Sequence, residues 1–317
     1  MDPCIICGNS DGNKYHRPRE MFFGFHDEFT YRECSTCGCL HLVDLPQDFS
    51  KYYPDNYYSL RADSSLKRFL RRKWATYAYN GRGVLGLALS KVFFTHDAVL
   101  SVKRLRVSKD ARILDVGCGD GKFLEELSWL SFTNLQGIDP FIAGDVVKDS
   151  GPRLHKAYLD KFEGEFDLIM LHHSYEHMEN PFQAMRAVSR LLAQGGHVIL
   201  RLPISSSYAW KRYGVNWINL DSPRHIFIPT PKSMAIIAND AGLRIDSVIY
   251  EGNDRQFWGS EQYACDIPLY SAKSLAPEVN LMSYLLSLRK IATYKKMAKR
   301  LNEKEEGDLA CFYLGKA

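Results

Sequence analysis

No stretch of this 317-residue chain is apolar for long enough to cross a bilayer. The longest apolar run, GVLGLALSKVFF from Gly83 to Phe94, is interrupted by Lys91 and falls short of the roughly 20 residues a spanning helix needs. No apolar leader core stands at the amino end, where MDPCIICG is polar and cysteine-rich, so a soluble, cytoplasmic protein is expected. Neither sign of charge dominates. The net charge of +4 is too mild to argue for nucleic acid by itself. No internal repeat is apparent, and 45% apolar with 25% charged residues excludes a disordered chain. The length suggests about two domains.

Cysteine is scarce except at one end, which in a cytosolic chain points to metal more than to disulfides. Cys4-x-x-Cys7-Gly8 and Cys34-x-x-Cys37-Gly38 are matching knuckles separated by 26 residues. Two thiolates two residues apart can share one ion, and the glycine frees the turn behind them. Two such pairs make the closed tetrahedral set of a structural zinc site. Cys39 and His41 follow closely, but the symmetry of the knuckles makes them the poorer ligands. The aromatic insert between the knuckles is expected to form two or three strands, with His16 and His26 on the surface or in packing. Its mixture of acids and bases disfavours a phosphate-tracking surface.

KYYPDNYYSL (Lys51 to Leu60) reads as a tyrosine-dense linker with a turn at Pro54-Asp55-Asn56. From Arg61 to Lys109 there are twelve Lys and Arg against Asp63 and Asp97. Within it, Leu66, Phe69, Leu70, Trp74 and Tyr77 recur at helical spacing with bases opposite. This predicts a helix packed over the core, or a patch for an anionic partner such as a phosphate, a glycan, RNA or a lipid surface.

The organising stretch is ARILDVGCGDGKF, Ala111 to Phe123. A short apolar run delivers Asp115. Then come Gly117, Cys118, Gly119 and Gly121, followed by an amphipathic run. Strand, glycine-rich turn and helix form a nucleotide-binding unit. Glycines let the backbone approach a ligand closely, and the next helix offers free N–H groups. An acid ahead of the first glycine would repel a pyrophosphate but suits an ammonium. Asp139 ends a second strand, 18 residues beyond Gly121, where a carboxylate can accept both hydroxyls of a ribose.

An acid followed by GxGxG resembles the first motif of the class I S-adenosylmethionine (SAM) methyltransferases. The resemblance covers Arg112 to Ala317 apart from an insertion at about 253–307. It implies a Rossmann-like α/β sheet with helices on both faces. The expected organisation is a zinc module at 1–50, a basic helical segment at 51–108 and a SAM-dependent domain at 109–317. The resemblance also implies that Leu159, after a third strand at Arg153 to Tyr158, meets the adenine. The fourth strand, EFDLIMLHH, runs into HHSYEHMENP, facing the cofactor's reactive end. His172 and His173 are expected to shape the methionine end there. Asn180-Pro181 opens a helix that Gly195-Gly196 stops, and HVILRLP is the fifth strand.

An acceptor must lose a proton as it takes the methyl group, and histidine has the matching pKa range. Sugar C-methyltransferases that this chain resembles place a Glu-His pair after the fourth strand, which marks Glu176 and His177. His225 is the rival base. YGVNWINLDSPRHIF is similar to a phrase in methyltransferases of bacterial surface-glycan and deoxysugar pathways. It offers Trp217 to stack on a sugar and Arg224 to grip an anion. The expectation is methylation, at oxygen or carbon, of a small acceptor, most of all a sugar or nucleotide-sugar. Two rivals stand beside it: an RNA methyltransferase using the zinc module and basic helix, and a non-catalytic regulator keeping the fold.

Overall fold

The computed structural model describes residues 3–53, 64–92 and 96–317. The turn expected at Pro54-Asp55-Asn56, Arg61, Asp63 and the end of the apolar run at Phe93 and Phe94 lie outside them.

The N-terminal part forms β1 (Lys14–His16), β2 (Tyr31–Glu33) and β3 (Leu40–Leu42). These pair antiparallel, and a strand from far along the chain, β10 (Phe227–Ile228), completes the sheet against β3. Leu40, Leu42, Phe227 and Ile228 are all fully buried. At ~1.5–3 kcal/mol for each buried side chain, that seam fuses the module to the rest of the molecule.

Helices α1 (Ser65–Asn80), α2 (Val84–Val92) and α3 (Asp97–Leu105) follow. The Ser64 side chain caps α1 by accepting from the Lys67 N–H. The apolar stripe read from the sequence is only partly buried: Leu70, Trp74 and Tyr77 are half-buried, Leu66 and Phe69 are exposed, and it is Ala75, outside the stripe, that reaches the core. The reason is tertiary. Only the C-terminal half of α1 lies against the core, and the N-terminal half is held by ion pairs of Arg68 and Arg71 to Glu125.

The main sheet begins with β4 (Arg112–Val116), α4 (Lys122–Trp129) and β5 (Asn134–Ile138). Short strands β6 (Val146–Val147) and β7 (Arg153–His155) come next, then β8 (Phe166–His172), α5 (Pro181–Leu191) and β9 (Leu192–Pro203). Beyond these lie α6 (Tyr208–Tyr213), α7 (Pro231–Asp240), β11 (Leu243–Tyr250), α8 (Arg255–Ala264), α9 (Leu281–Leu286), α10 (Leu288–Glu303) and β12 (Leu309–Lys316). The eight-stranded order is β11-β12-β9-β8-β4-β5-β7-β6. The pairs from β7 through β9 are parallel, and β12 enters antiparallel between β9 and β11. Strand order reverses beside β4, so the ligand crevice of such a sheet opens at the carboxyl ends of β4 and β8.

Local chemistry explains the element ends. Asn180 accepts from the Gln183 N–H at the start of α5, and Pro181 follows at the first helical position. Thr230 and Ser233 make a reciprocal capping box on α7. Two strand readings change. The third strand is Arg153–His155 only, because the chain then turns away toward a 3-10 turn at Leu159–Lys161. The fifth begins at Leu192, before the glycine pair. Its pairing with β8 jumps from Phe166–Leu192 to Leu168–His197, and Gly195, at φ +75°, supplies the left-handed residue for that irregularity. Within the insertion, MSYLLSLRKIATYKKMAKRL forms two helices, α9 and α10, broken at Ser287.

Candidate active site

The carboxyl end of β4 delivers Asp115, buried at the sheet's switch point. Gly117, Gly119 and Gly121 all have left-handed backbones, at φ +77°, +53° and +77°. A Cβ at Gly117 would stand 2.4 Å from the Ser174 Cβ, and one at Gly121 2.8 Å from Leu154. The first therefore holds β4 close to the loop after β8, and the second seats α4 on β7. Asp139 braces this turn from the end of β5. One of its oxygens accepts from the Gly119 N–H at 3.0 Å, the other from Phe141 N–H at 2.8 Å. Leu159 lies buried in the 3-10 turn after β7.

Burial, with the Asp139 charge adding to it, pushes the Asp115 carboxyl up to about 7. A buried carboxylate in that position can hold a cationic group. Burial likewise raises the Cys118 thiol, reinforced by Asp115 and Asp139, so it is an inert wall of the turn. Two buried acids, Asp115 and Asp139, beside a glycine turn are a donor set that SAM, with its ammonium and ribose hydroxyls, would fit.

His172 ends β8. Its ring packs edge-on against Phe123 at 4.8 Å, and burial, aided by Arg201, holds it well below the usual histidine range. His173 has φ +54°, a conformation that costs a non-glycine residue energy and marks a constrained site. That turn points it at a cavity of about 220 Å³ lined by Trp74, His96, Asp97, Ala98, His173, Arg201, Glu251, Asn253 and Leu309. Sequence reasoning missed this cavity. A signal existed in Arg201: a charged residue in an otherwise apolar central strand, HVILRLP, needs a buried partner, and Glu251 provides it at 2.6 Å.

After β8 the segment Tyr175–His177 is a single 3-10 turn. It sends Glu176 fully inward and leaves His177 partly exposed. Both Glu176 carboxylate oxygens are buried with no hydrogen-bond partner. Its Oε1 lies 3.4 Å from His173 Nδ1 and 3.9 Å from His225 Nε2. Burial would raise this carboxyl, but the imidazoles of His173, His177 and His225 outweigh it and hold it below its ordinary value.

His177 Nδ1 is 2.8 Å from the Arg224 carbonyl oxygen and 3.2 Å from the Tyr53 hydroxyl. A carbonyl only accepts, so Nδ1 carries the proton and Nε2 is the free acceptor. His225 repeats the pattern: its Nδ1 donates to the Asn219 carbonyl at 2.8 Å. The two rings stand 4.9 Å apart. Burial drops His225 to about 4 despite Asp221 and Glu176, so it is neutral at pH 7 and a weak proton acceptor.

Trp217 and Arg224 are not placed as the sequence suggested. Both are fully buried. Trp217 Nε1 donates to Asp308 at 3.1 Å. Arg224 pairs with Asp221 and lies 3.6 Å from Glu20, its guanidinium 4.2 Å from the Phe22 ring centre. Glu20 in turn accepts from four backbone N–H groups, those of Phe22, Phe23, Gly24 and Phe25. Each is consumed by internal partners: an unpaired charge or indole N–H inside this module would be costly, and the fold satisfies both before any substrate arrives.

The four knuckle cysteines converge. Cys4 and Cys37 sulfurs are 3.6 Å apart and Cys7 and Cys34 sulfurs 3.5 Å apart. Four thiolates around one ion with ~2.3 Å bonds are separated by about 3.8 Å, so the cluster fits a tetrahedral metal. Gly8 and Gly38, at φ +72° and +71°, make the matching turns. Cys39 instead donates to the Leu40 carbonyl. Thr230 and Ser205 hydroxyls donate to the Cys37 and Gly38 carbonyls, tying the second knuckle to the main domain.

Residues 94–248 match a family described as Methyltransferase domain. Among curated proteins, the chain is 27% identical over 157 residues to a ubiquinone biosynthesis O-methyltransferase of Pseudomonas aeruginosa, covering 44% of this chain and 66% of that protein. It is 24% identical over 113 residues to the protein of the same name from Pectobacterium atrosepticum, covering 31% and 45%. The chain thus spans less than two thirds of the length of these relatives. Among solved structures, a cyclopropane synthase from Mycobacterium tuberculosis aligns at 16% identity and a TM-score of 0.46, over 81% of this chain and 97% of that one. A possible histamine N-methyltransferase from Thermotoga maritima aligns at 15% and 0.46, over 85% and 98%. No helix among the described residues is long and apolar enough to cross a membrane. Together with the sheet order and the acid-led glycine turn, the family match makes residues 94–248 a class I SAM-dependent methyltransferase domain.

Proposed function

We propose that the chain transfers the methyl group of SAM to an oxygen of a small acceptor. The observation that carries this reading is the pair Asp115 and Asp139 flanking the glycine turn at the switch point, with the cavity one strand away. When bound, SAM supplies an activated methyl on a sulfonium, so the protein's work is alignment and proton removal. Asp115 holds the amino group, Asp139 the ribose, and Leu159 lies under the adenine. His172 is a neutral wall at the methionine end. His177 takes the acceptor's proton on Nε2, since its Nδ1–H is already given to the Arg224 carbonyl. Glu176 stabilises the imidazolium that forms, and His225, neutral and pinned, packs behind it.

The O-methyltransferase names of the matched relatives favour oxygen over carbon. A sugar or nucleotide-sugar acceptor rests on the phrase holding Trp217 and Arg224, which are spent internally, so the cavity's own residues select no class. RNA is disfavoured because Arg68 and Arg71 are engaged with Glu125. Structural zinc at Cys4, Cys7, Cys34 and Cys37 completes the reading.

Labelled methyl transfer from SAM to a panel of nucleotide-sugars, phenols and RNA tests it. Label on a small acceptor, absent in Asp139→Ala, is the expected result. Ribonuclease-sensitive label would move the case to RNA, and failure of the chain to bind SAM would end it.

A further inference from the structure

The Glu176, His177 and His225 side chains have a make-up that proton transfer alone does not require. One carboxylate oxygen and one nitrogen from each ring lie within 4.8 Å of one another. An ion with ~2.1 Å bonds would draw three such atoms to roughly 3.4 Å, a contraction within reach of side-chain rotation.

Three features point the same way. Glu176 is fully buried, and apart from the His173 imidazole 3.4 Å from its Oε1 its oxygens have no hydrogen-bond partner. A carboxylate left so is costly unless something cationic joins it. Each histidine gives its Nδ1–H to a backbone carbonyl, His177 to Arg224 and His225 to Asn219. This fixes the tautomer that leaves Nε2 as a donor atom, the arrangement found behind metal-bound histidines. The surroundings are also acidic: His225 Nε2 is 3.8 Å from Asp221, while Arg224 is occupied by Asp221 and Glu20.

We infer that Glu176, His177 and His225 form a site for a first-row divalent cation, separate from the four-cysteine cluster. Two imidazoles and one carboxylate suit such an ion and leave coordination positions open. His177, only partly buried, is on the open side. The inference rests on the methyltransferase reading for what the ion does, though not for whether it binds. With the ion in place, an acceptor oxygen coordinates it. The O–H bond breaks with its proton passing to solvent, the oxygen forms the bond to the methyl carbon, and the S–C electron pair stays on sulfur. His177 is then a ligand instead of the free base.

The test is cobalt(II) alone, added to full-length chain whose cysteine site is already filled with zinc. One equivalent is expected to give visible d–d absorption without sulfur-to-cobalt charge transfer. Glu176→Gln and His225→Gln should each weaken it at least tenfold while SAM binding persists. On the unmutated chain, cobalt-edge X-ray absorption should show nitrogen and oxygen neighbours with imidazole scattering. No d–d band, a sulfur shell, or a band unchanged in both variants would overturn the site, leaving His177 as free base. A bound ion in a chain that transfers no methyl group would keep the site and sink the methyltransferase reading.

Discussion

The Tyr31 hydroxyl donates a 2.7 Å hydrogen bond to the His225 carbonyl. Tyr31 belongs to the cysteine module and His225 to the loop that closes over the end of β8. Beside it, the Ile226 N–H bonds the Glu176 carbonyl at 2.8 Å. The module is therefore a wall of the candidate active site, and what it binds bears on the geometry there.

Tyr31→Phe removes only the hydroxyl and leaves a buried carbonyl unpaired, at a cost of about 1–3 kcal/mol. Denaturant unfolding should show that loss, with SAM affinity unchanged and methyl transfer slowed. Unchanged turnover would separate the module from the chemistry.

Metal analysis should find zinc at the four cysteines, and Cys34→Ser should lower both zinc content and melting temperature. The mutation acts at a distance because Cys37 and Gly38 carbonyls are hydrogen-bonded to Thr230 and Ser205. A full set of reactive thiols in a stable, metal-free chain would remove zinc from the account.

SAM affinity should fall as pH drops from 8 to 6. With its carboxyl raised to about 7, Asp115 gains a proton in that range and loses its hold on an ammonium. The effect on the ligand-free fold has the opposite sense. A raised carboxyl favours the native state fully below about 4, its unfolded value, and that contribution is lost as pH rises through about 7. Asp115→Asn should flatten both curves, as calorimetry and melting across pH would record. A wild-type affinity flat from 6 to 8 would remove Asp115 from the ammonium site.

Asp139→Ala should weaken SAM at least tenfold, since it removes the ribose acceptor and frees the Gly119 and Phe141 N–H groups. Wild-type affinity in this variant would remove Asp139 from the ribose site.

His177→Ala should retain SAM binding and lose turnover by on the order of 10²-fold or more. Full activity would shift proton removal to His173 or to water.

The motif, the strand that carries it, the cap at Asn180 and the two cysteine knuckles were legible because each depends on neighbours within a few residues. Apolar runs name buried strands, glycines name turns, and repeated spacing names ligands. The misplacements share one physical cause. Leu66 and Phe69 match a buried helical stripe, but only the other half of α1 meets the core. Trp217 and Arg224 look like binding residues, but Asp308, Asp221 and Glu20, remote or local in sequence, use their polar groups first.

By itself the sequence determined the sheet class, the glycine turn after β4 and the two cysteine knuckles, since short-range geometry suffices for each. Only the tertiary structure decided that the module's sheet closes with β10, that a cavity opens between Trp74, His173 and Arg201, and that Glu176 meets His225 across 48 intervening residues. Those juxtapositions arise where distant segments compete to bury the same surface, and spacing along a chain carries no measure of that.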